Sequence, residues 1–210
     1  MAQVTHGVRS LLSHPIIYSA FQTLLGAHRC RQNFVSNYVK PFPGMKVLDL
    51  GCGPADILAH LPDVKYWGFD ISEAYIERAR EQFGTAGNFQ CKQMQSEDLK
   101  YLPQVDLVLA LGLLHHLDDA TATDVIQLAL QALKPGGRLV SIDPCLDPSQ
   151  NPIARFLISH DRGQDVRDRR GYEALAKKVF SVFRIAVRHH MLRIPYTHCI
   201  MECQRNDVTE

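Results

Sequence analysis

Two carboxylates and two glycines at fixed spacing carry most of the chemistry legible in this chain. Asp49 interrupts the apolar run Val47-Leu48-Asp49-Leu50, and Gly51 and Gly53 follow at once. Glycine at such a turn lets a ligand lie against the main chain, because a Cβ would block it or forbid the bend. Asp70 ends the next apolar run, about twenty residues on, where a carboxylate can accept both hydroxyls of a ribose. Its neighbour Ile71 offers an apolar surface to a purine. The pattern points to a nucleoside ligand. A dinucleotide site would have G-x-G-x-x-G and a pyrophosphate on a helix N-terminus. Here the spacing is Gly51-x-Gly53-x-Ala55, and Asp49 repels phosphate but suits a cation. S-adenosylmethionine carries a sulfonium and an ammonium and no phosphate, so it meets that condition. The alternative is a tight strand-to-helix turn without a ligand, with Asp70 serving only to cap the next helix.

A second group is suited to moving protons. His115 and His116 follow the apolar run Asp106 to Leu111. Histidine titrates near neutrality, which suits a general base. One of two adjacent histidines can equally well satisfy backbone groups at a helix start. The run His160 to Arg167 contains Asp161 and Arg162, which can bind a polar acceptor such as a sugar or a carboxylate. Its charges can also pair with each other in a solvated loop. Tyr196 and His198 border the last apolar run and can approach the same pocket. The six cysteines include no C-x-x-C pair and no companion ligands at metal-site spacing. They read as reduced core thiols, and no metal is expected.

An alternating pattern must position these residues. Residues 1–40 look helical, because Ile16, Ile17, Ala20, Phe21, Leu24 and Leu25 recur at helical spacing. Pro41-Phe42-Pro43-Gly44 ends that pattern. Strands are expected at Lys46–Leu50, Tyr66–Asp70, Asn88–Lys92, Asp106–Leu111 and Arg138–Asp143. Helices are expected over 55–61, from a Ser72 N-cap to Phe83, and over 120–133. Lys134-Pro135-Gly136-Gly137 reads as a turn. The alternation implies an α/β fold with a parallel sheet and helices on both faces. Ligands in such a sheet sit beyond the carboxyl ends of the strands. A short helix at Ile153–Ser159, another at Tyr172–Val179 and two extended runs, Val182–Arg188 and Thr197–Gln204, complete the pattern. With no helix between them, those runs are expected to pair antiparallel at the sheet edge. The expected organisation is a helical N-terminal cap over 1–43 and a main domain over 44–210, with a substrate-side insertion over 145–180.

Taken together, VLDLGCGPAD (47–56), GFDIS (68–72), SEDL (96–99), DLVLALGLLHHL (106–117) and LKPGGRLVSIDP (133–144) carry a family likeness. In order and spacing the chain resembles a class I S-adenosylmethionine-dependent methyltransferase of the small-molecule type over residues 35–204. The resemblance implies a Rossmann-like, doubly wound, seven-stranded sheet of order 3-2-1-4-5-7-6, with strand 7 antiparallel. It implies Gly51 and Gly53 beside the methionine part of the cofactor, Asp49 near its amino end and Asp70 on the ribose. Gln95 and Ser96 would read the adenine, and the backbone of Leu111 and Gly112 would face the methionine moiety. There are two departures. Ala55 replaces the third loop glycine, which a helix start should tolerate, and Gln95 stands where relatives usually have Asp.

The end of the fourth strand bears on the acceptor. Relatives that methylate base amines carry an N-P-P-Y-type sequence there, and cytosine C5 enzymes a Pro-Cys nucleophile. This chain has Ala110-Leu111-Gly112-Leu113. A formal net charge of +1 leaves no phosphate-tracking footprint. The expected partner is a small-molecule acceptor, with a hydroxyl favoured by the His and Asp bases, and no nucleic acid. The stretch Leu11 to Leu25 is too polar to span a bilayer. Membrane contact is open but not favoured, and a cytoplasmic location is expected. Two rivals stand beside the enzyme: a cofactor-binding regulatory or assembly module without transferase activity, and an enzyme that uses the bound sulfonium only electrostatically.

Overall fold

The computed structural model describes residues 27–161 and 163–206. The expectations for residues 1–26 and for Arg162 lie outside the described residues. Seven strands form one sheet: β1 (Lys46–Leu50), β2 (Lys65–Asp70), β3 (Gly87–Cys91), β4 (Val105–Leu111), β5 (Leu133–Pro144), β6 (Val182–Arg188) and β7 (His198–Gln204). Their order is β3-β2-β1-β4-β5-β7-β6. The first five are parallel, and β7 runs antiparallel to both β5 and β6. This is the Rossmann-like order expected from the sequence, with β7 as the inner member of the closing pair.

Side-chain alternation builds two cores, one on each face. Leu48 and Leu50 of β1 join Val108 and Ala110 of β4 beneath α3 (Asp119–Ala132) and α5 (Arg169–Val179). Val47 of β1 and Leu107 and Leu109 of β4 point the other way. They pack against α1 (Ala27–Phe34), its continuation Val35–Val39, and α2 (Glu73–Phe83). The helices begin where side chains can satisfy the free N–H groups of the first turn. Ser72 accepts from Tyr75 N, Asp118 from Thr121 N, and Asp168 from Gly171 N. Asn151 does the same for α4 (Pro152–Ser159), with Pro152 in the first turn, where no donor is missed.

The described part of the expected cap is fastened to the sheet. Phe34, Val35 and Val39 are buried in the same core as β1 and β2. The Arg138 guanidinium donates to the carbonyls of Tyr38 (3.0 Å) and Val39 (2.8 Å), which the ending helix leaves unpaired. Arg31 pairs with Asp56 at 2.8 Å, tying α1 to the segment after the glycine loop.

Two local expectations change. The expected helix over 55–61 is a short 3-10 segment, Asp56–His60, and Ala55 lies before it with φ 55° and ψ 30°. Ala55 is therefore not at a helix start but in the left-handed region, where the missing third glycine would be relaxed. The Lys134-Pro135-Gly136-Gly137 turn is absorbed into β5. Leu133 pairs with Val105 and Arg138 with Leu107, so the residues between bulge out of the ladder. Gly136 N still donates to Arg205 O, and Arg205 N to Gly137 O.

Leu107 lies fully buried in a central strand. Leu107→Ala is expected to lower stability by about 2–5 kcal/mol in urea unfolding, whereas the edge substitution Val182→Ala should stay within about 0.5 kcal/mol.

Candidate active site

The glycine loop leaves β1 and folds back over β2. Gly51 N and Cys52 N both donate to Phe69 O. Gly51 (φ 69°) and Gly53 (φ 53°) adopt the left-handed conformation the turn needs. Their missing side chains serve different ends. A Cβ on Gly51 would meet Leu113 Cδ1 at 2.9 Å, so that space is filled by the protein. A Cβ on Gly53 would meet nothing within 4 Å, so that side of the loop is open.

Asp70 serves both neighbours of this loop. Its Oδ2 accepts from Gly53 N at 2.9 Å and its Oδ1 from Ser72 N at 2.8 Å. The helix-capping alternative is thus real, but each carboxylate oxygen keeps a further lone pair for a ribose hydroxyl. Ile71 beside it is 56% exposed, an uncovered apolar surface at the strand end. Gln95 and Ser96 are exposed at the start of the 3-10 segment Ser96–Tyr101. Asp98 organises that turn, accepting from Gln95 N at 3.0 Å and pairing with Lys92 at 2.7 Å. Leu111 is half-buried at the end of β4. Gly112 (φ 64°) turns the chain there and donates to Ile142 O at 2.8 Å.

Asp49 is the most constrained carboxylate of the rim. It is buried, its Oδ2 accepts from the Tyr66 hydroxyl at 2.6 Å, and its Oδ1 has no partner among the described residues. Burial lifts its pKa to about 7 despite the Tyr66 hydrogen bond, and the nearby Asp70 charge adds to the rise.

On the other side of the rim a chain of polar groups runs from β5 to the loop after α4. His115 lies buried in the turn Leu114–His116. Its Nδ1 is 2.9 Å from Asp143 Oδ1 at the end of β5, and its Nε2 is 3.2 Å from Asp161 Oδ1. Asp161 Oδ2 accepts from the Tyr196 hydroxyl at 2.9 Å. The Tyr196 and His198 rings lie 5.0 Å apart, and the His115 and His116 rings 4.0 Å apart. His115, His116, Asp161, Tyr196 and His198 are therefore brought together.

Burial alone would lower the His115 pKa, but its hydrogen bonds to Asp143 and Asp161 outweigh it and lift the value to about 9. The near-neutral titration expected for this histidine is replaced by a stable imidazolium. Burial likewise works against an ionised Asp161, yet His115, Gly163 N and Tyr196 hold its pKa well below the usual carboxylate range. His198 is the opposite case, pushed down to about 4 by burial, so it is neutral.

Three contributors escaped the sequence reading. Asp143 carries the same signal as Asp49 and Asp70, an acidic residue at the end of an apolar strand. Tyr66 reads as an ordinary strand residue. Arg167 reads as a loop charge, yet it donates to Leu114 O and Leu117 O and pairs with Asp119, clamping the turn that holds His115. Gly163 completes the clamp, since a Cβ there would overlap the His115 ring.

The loop side fits a cationic nucleoside. A buried carboxylate oxygen without a donor can take an ammonium, Asp70 and Ile71 can take a ribose and a purine, and the Gly53 side of the loop is open. Fold and rim together fit a class I S-adenosylmethionine-dependent methyltransferase domain. The methyltransferase-domain family model matches residues 47–137. The 27-O-demethylrifamycin SV methyltransferase of Amycolatopsis mediterranei is 38% identical over 113 residues, 50% of this chain and 41% of that protein. The ubiquinone/menaquinone biosynthesis C-methyltransferase of Shewanella sediminis is 30% identical over 172 residues, 73% of this chain and 66% of that protein. A solved O-methyltransferase family protein from Burkholderia thailandensis superposes with a TM-score of 0.69 at 15% identity, covering 99% of this chain and 65% of that one. The chain spans about half the length of the first curated relatives it matches. It carries the class I S-adenosylmethionine-dependent methyltransferase domain.

The raised His115 pKa has a stability consequence. The folded value, about 9, exceeds the ordinary 6.5. Its pairing therefore stabilises fully below pH 6.5 and is lost as pH rises through 9, a contribution on the order of 3 kcal/mol. Urea unfolding between pH 6 and 9.5 should reveal that decline in the wild type and its absence in His115→Gln.

Proposed function

We propose that this chain transfers a methyl group to a hydroxyl of a small-molecule acceptor, with the Asp143–His115–Asp161–Tyr196 chain managing the acceptor's proton. The observation that carries the reading is the buried imidazole held between two carboxylates next to Gly112. Bound S-adenosylmethionine supplies an activated methyl on a sulfonium. Asp49, Gly51, Gly53, Asp70, Ile71, Gln95, Ser96, Leu111 and Gly112 are the residues we assign to holding it. Tyr196, His198 and Asp161 line the acceptor side, with Arg162 as a further candidate. A relative named for 27-O-demethylrifamycin SV supports an oxygen acceptor.

A hydroxyl becomes a good nucleophile as its proton leaves. In the resting arrangement both His115 nitrogens are engaged and the ring is charged. An acceptor hydroxyl that takes the place of Asp161 at Nε2 removes one of the two carboxylates that hold the proton. The Nε2 proton then leaves with Asp161 to solvent, and the neutral ring, still oriented through Nδ1–H by Asp143, receives the acceptor proton at Nε2, as imidazole does in carboxylate-held base pairs. Holding the acceptor in line and keeping water out are the other parts of the task. His116, whose ring lies tilted against that of His115, is the second candidate for the same role. Among the described residues, no helix is long and apolar enough to cross a membrane. The six free thiols support a reducing, cytoplasmic setting.

A screen of small hydroxyl-bearing compounds with methyl-labelled cofactor tests the reading. Label should appear on oxygen, and cofactor binding without transfer to any acceptor would favour the binding-module alternative instead. His115→Gln should lose about 10²–10⁴-fold in kcat with cofactor affinity intact. The pH profile of kcat/KM should rise toward alkaline pH as His115 loses its proton. Asp161→Asn removes one of the groups that raise its pKa, so the rise should move to lower pH. An unmoved profile in that variant rules out His115 as the base.

A further inference from the structure

We infer that Tyr66 is a positioning residue of the cofactor site, holding one oxygen of Asp49 so that the other captures the cofactor's amino group as Asp49 releases its proton. The inference rests on the cofactor assignment above and concerns residues that assignment leaves unexplained. Tyr66 sits on β2 in register with Val47, and its ring is buried in the core with Phe89. An aliphatic residue would fill that core equally well. The hydroxyl is the difference, and it spends its only hydrogen on Asp49 Oδ2 at 2.6 Å.

The surroundings keep Asp49 short of partners. Gly68 is its register neighbour on β2. A Cβ there would meet Cys52 Sγ at 2.8 Å and the Tyr66 ring at 3.0 Å, so the missing side chain makes room for both. The charged and titratable groups facing the pocket are Tyr66 from β2, Cys52 from the loop, Asp70 from the end of β2, and Asp56, which pairs with Arg31 of α1. Asp70 disfavours a second negative charge, and burial pushes the Cys52 thiol and Tyr66 phenol up, so both stay neutral. Among the described residues no cation pairs with Asp49, and its Oδ1 is buried without a donor.

A carboxylate in this position shares its occupancy between the acid and the ion near neutral pH. An ammonium, directly or across one water, selects the ion, and the displaced proton goes to solvent. No covalent bond changes. The sign follows: cofactor affinity falls as pH drops below about 7, by about tenfold per unit, as Asp49 becomes protonated in the free protein. The Tyr66 bond favours the ion, so losing it moves the onset to higher pH.

Calorimetry with S-adenosylhomocysteine tests this, because that molecule has the ammonium without the sulfonium. Titrations over pH 5.5–7.5 in buffers of different ionisation heat report affinity and protons released together. The wild type should release close to one proton at the acid end. Asp49→Asn should lose both the proton release and the pH slope. Tyr66→Phe keeps the ring, and its onset should move to higher pH, with about tenfold weaker binding at pH 7 and recovery at higher pH. Equal proton release in Asp49→Asn and wild type would overturn the inference, as would a uniform, pH-independent loss in Tyr66→Phe. If Tyr66→Phe does not fold, the wild-type and Asp49→Asn titrations decide. Absence of binding at every pH defeats the cofactor assignment, whereas binding without proton release defeats only the coupling and leaves a water as the partner of Oδ1.

Discussion

Everything at the functional end of this domain follows from one constraint: a buried carboxylate needs donors. The parallel sheet delivers three acidic residues to a single rim, Asp49 from β1, Asp70 from β2 and Asp143 from β5. Each solves the problem differently. Asp70 takes two backbone N–H groups. Asp143 takes the imidazole and backbone N–H of His115. Asp49 takes a single phenol, and its Oδ1, like Asp143 Oδ2, meets no donor among the described residues. The donors chosen decide which carboxylate shapes a loop, which orients a ring and which keeps the fewest bonds.

The rim is electrically asymmetric as a result. On one side Asp49 and Asp70 lie near each other with no cation paired to Asp49 among the described residues, and the field there favours a positive ligand. On the other side one imidazolium, His115, sits between two carboxylates, Asp143 and Asp161, and offsets only part of their charge. The boundary between the two sides is Gly112, where the chain turns at the end of the central strand.

Much of this was legible in the sequence, for a physical reason. Strand ends announce themselves when an apolar run stops at an acidic residue or a glycine, so Asp49, Gly51, Gly53 and Asp70 stood out, and the strand order came with the family likeness. What resisted were pairings across long sequence distance. His115 meets Asp161 through a loop that no local pattern describes, and Tyr196 reaches Asp161 from 35 residues away. Tyr66 was hidden because a tyrosine facing a core and a tyrosine facing a carboxylate look identical in a strand. Arg167 was hidden because a surface charge and a buried clamp have the same letter. Ala55 misled by propensity: alanine favours helix, but the fold around the glycine loop holds it at positive φ. The bulge in β5 misled similarly, since Pro-Gly-Gly is ordinarily a turn and here remains between paired residues.

The insertion of β7 between β5 and β6 has a consequence for the order in which the molecule is built. β7 is made after every other strand, yet it occupies an inner place in the sheet. While the chain emerges from the ribosome, the first four strands can pair and shape the glycine-loop side of the rim. The flank of β5 must wait, unpaired and apolar, until residues 198–204 arrive. Tyr196 and His198 travel with that strand. The nascent protein thus acquires the two sides of its rim at separate times, and the side built on His115, Asp161 and Tyr196 is complete only after the sheet has closed.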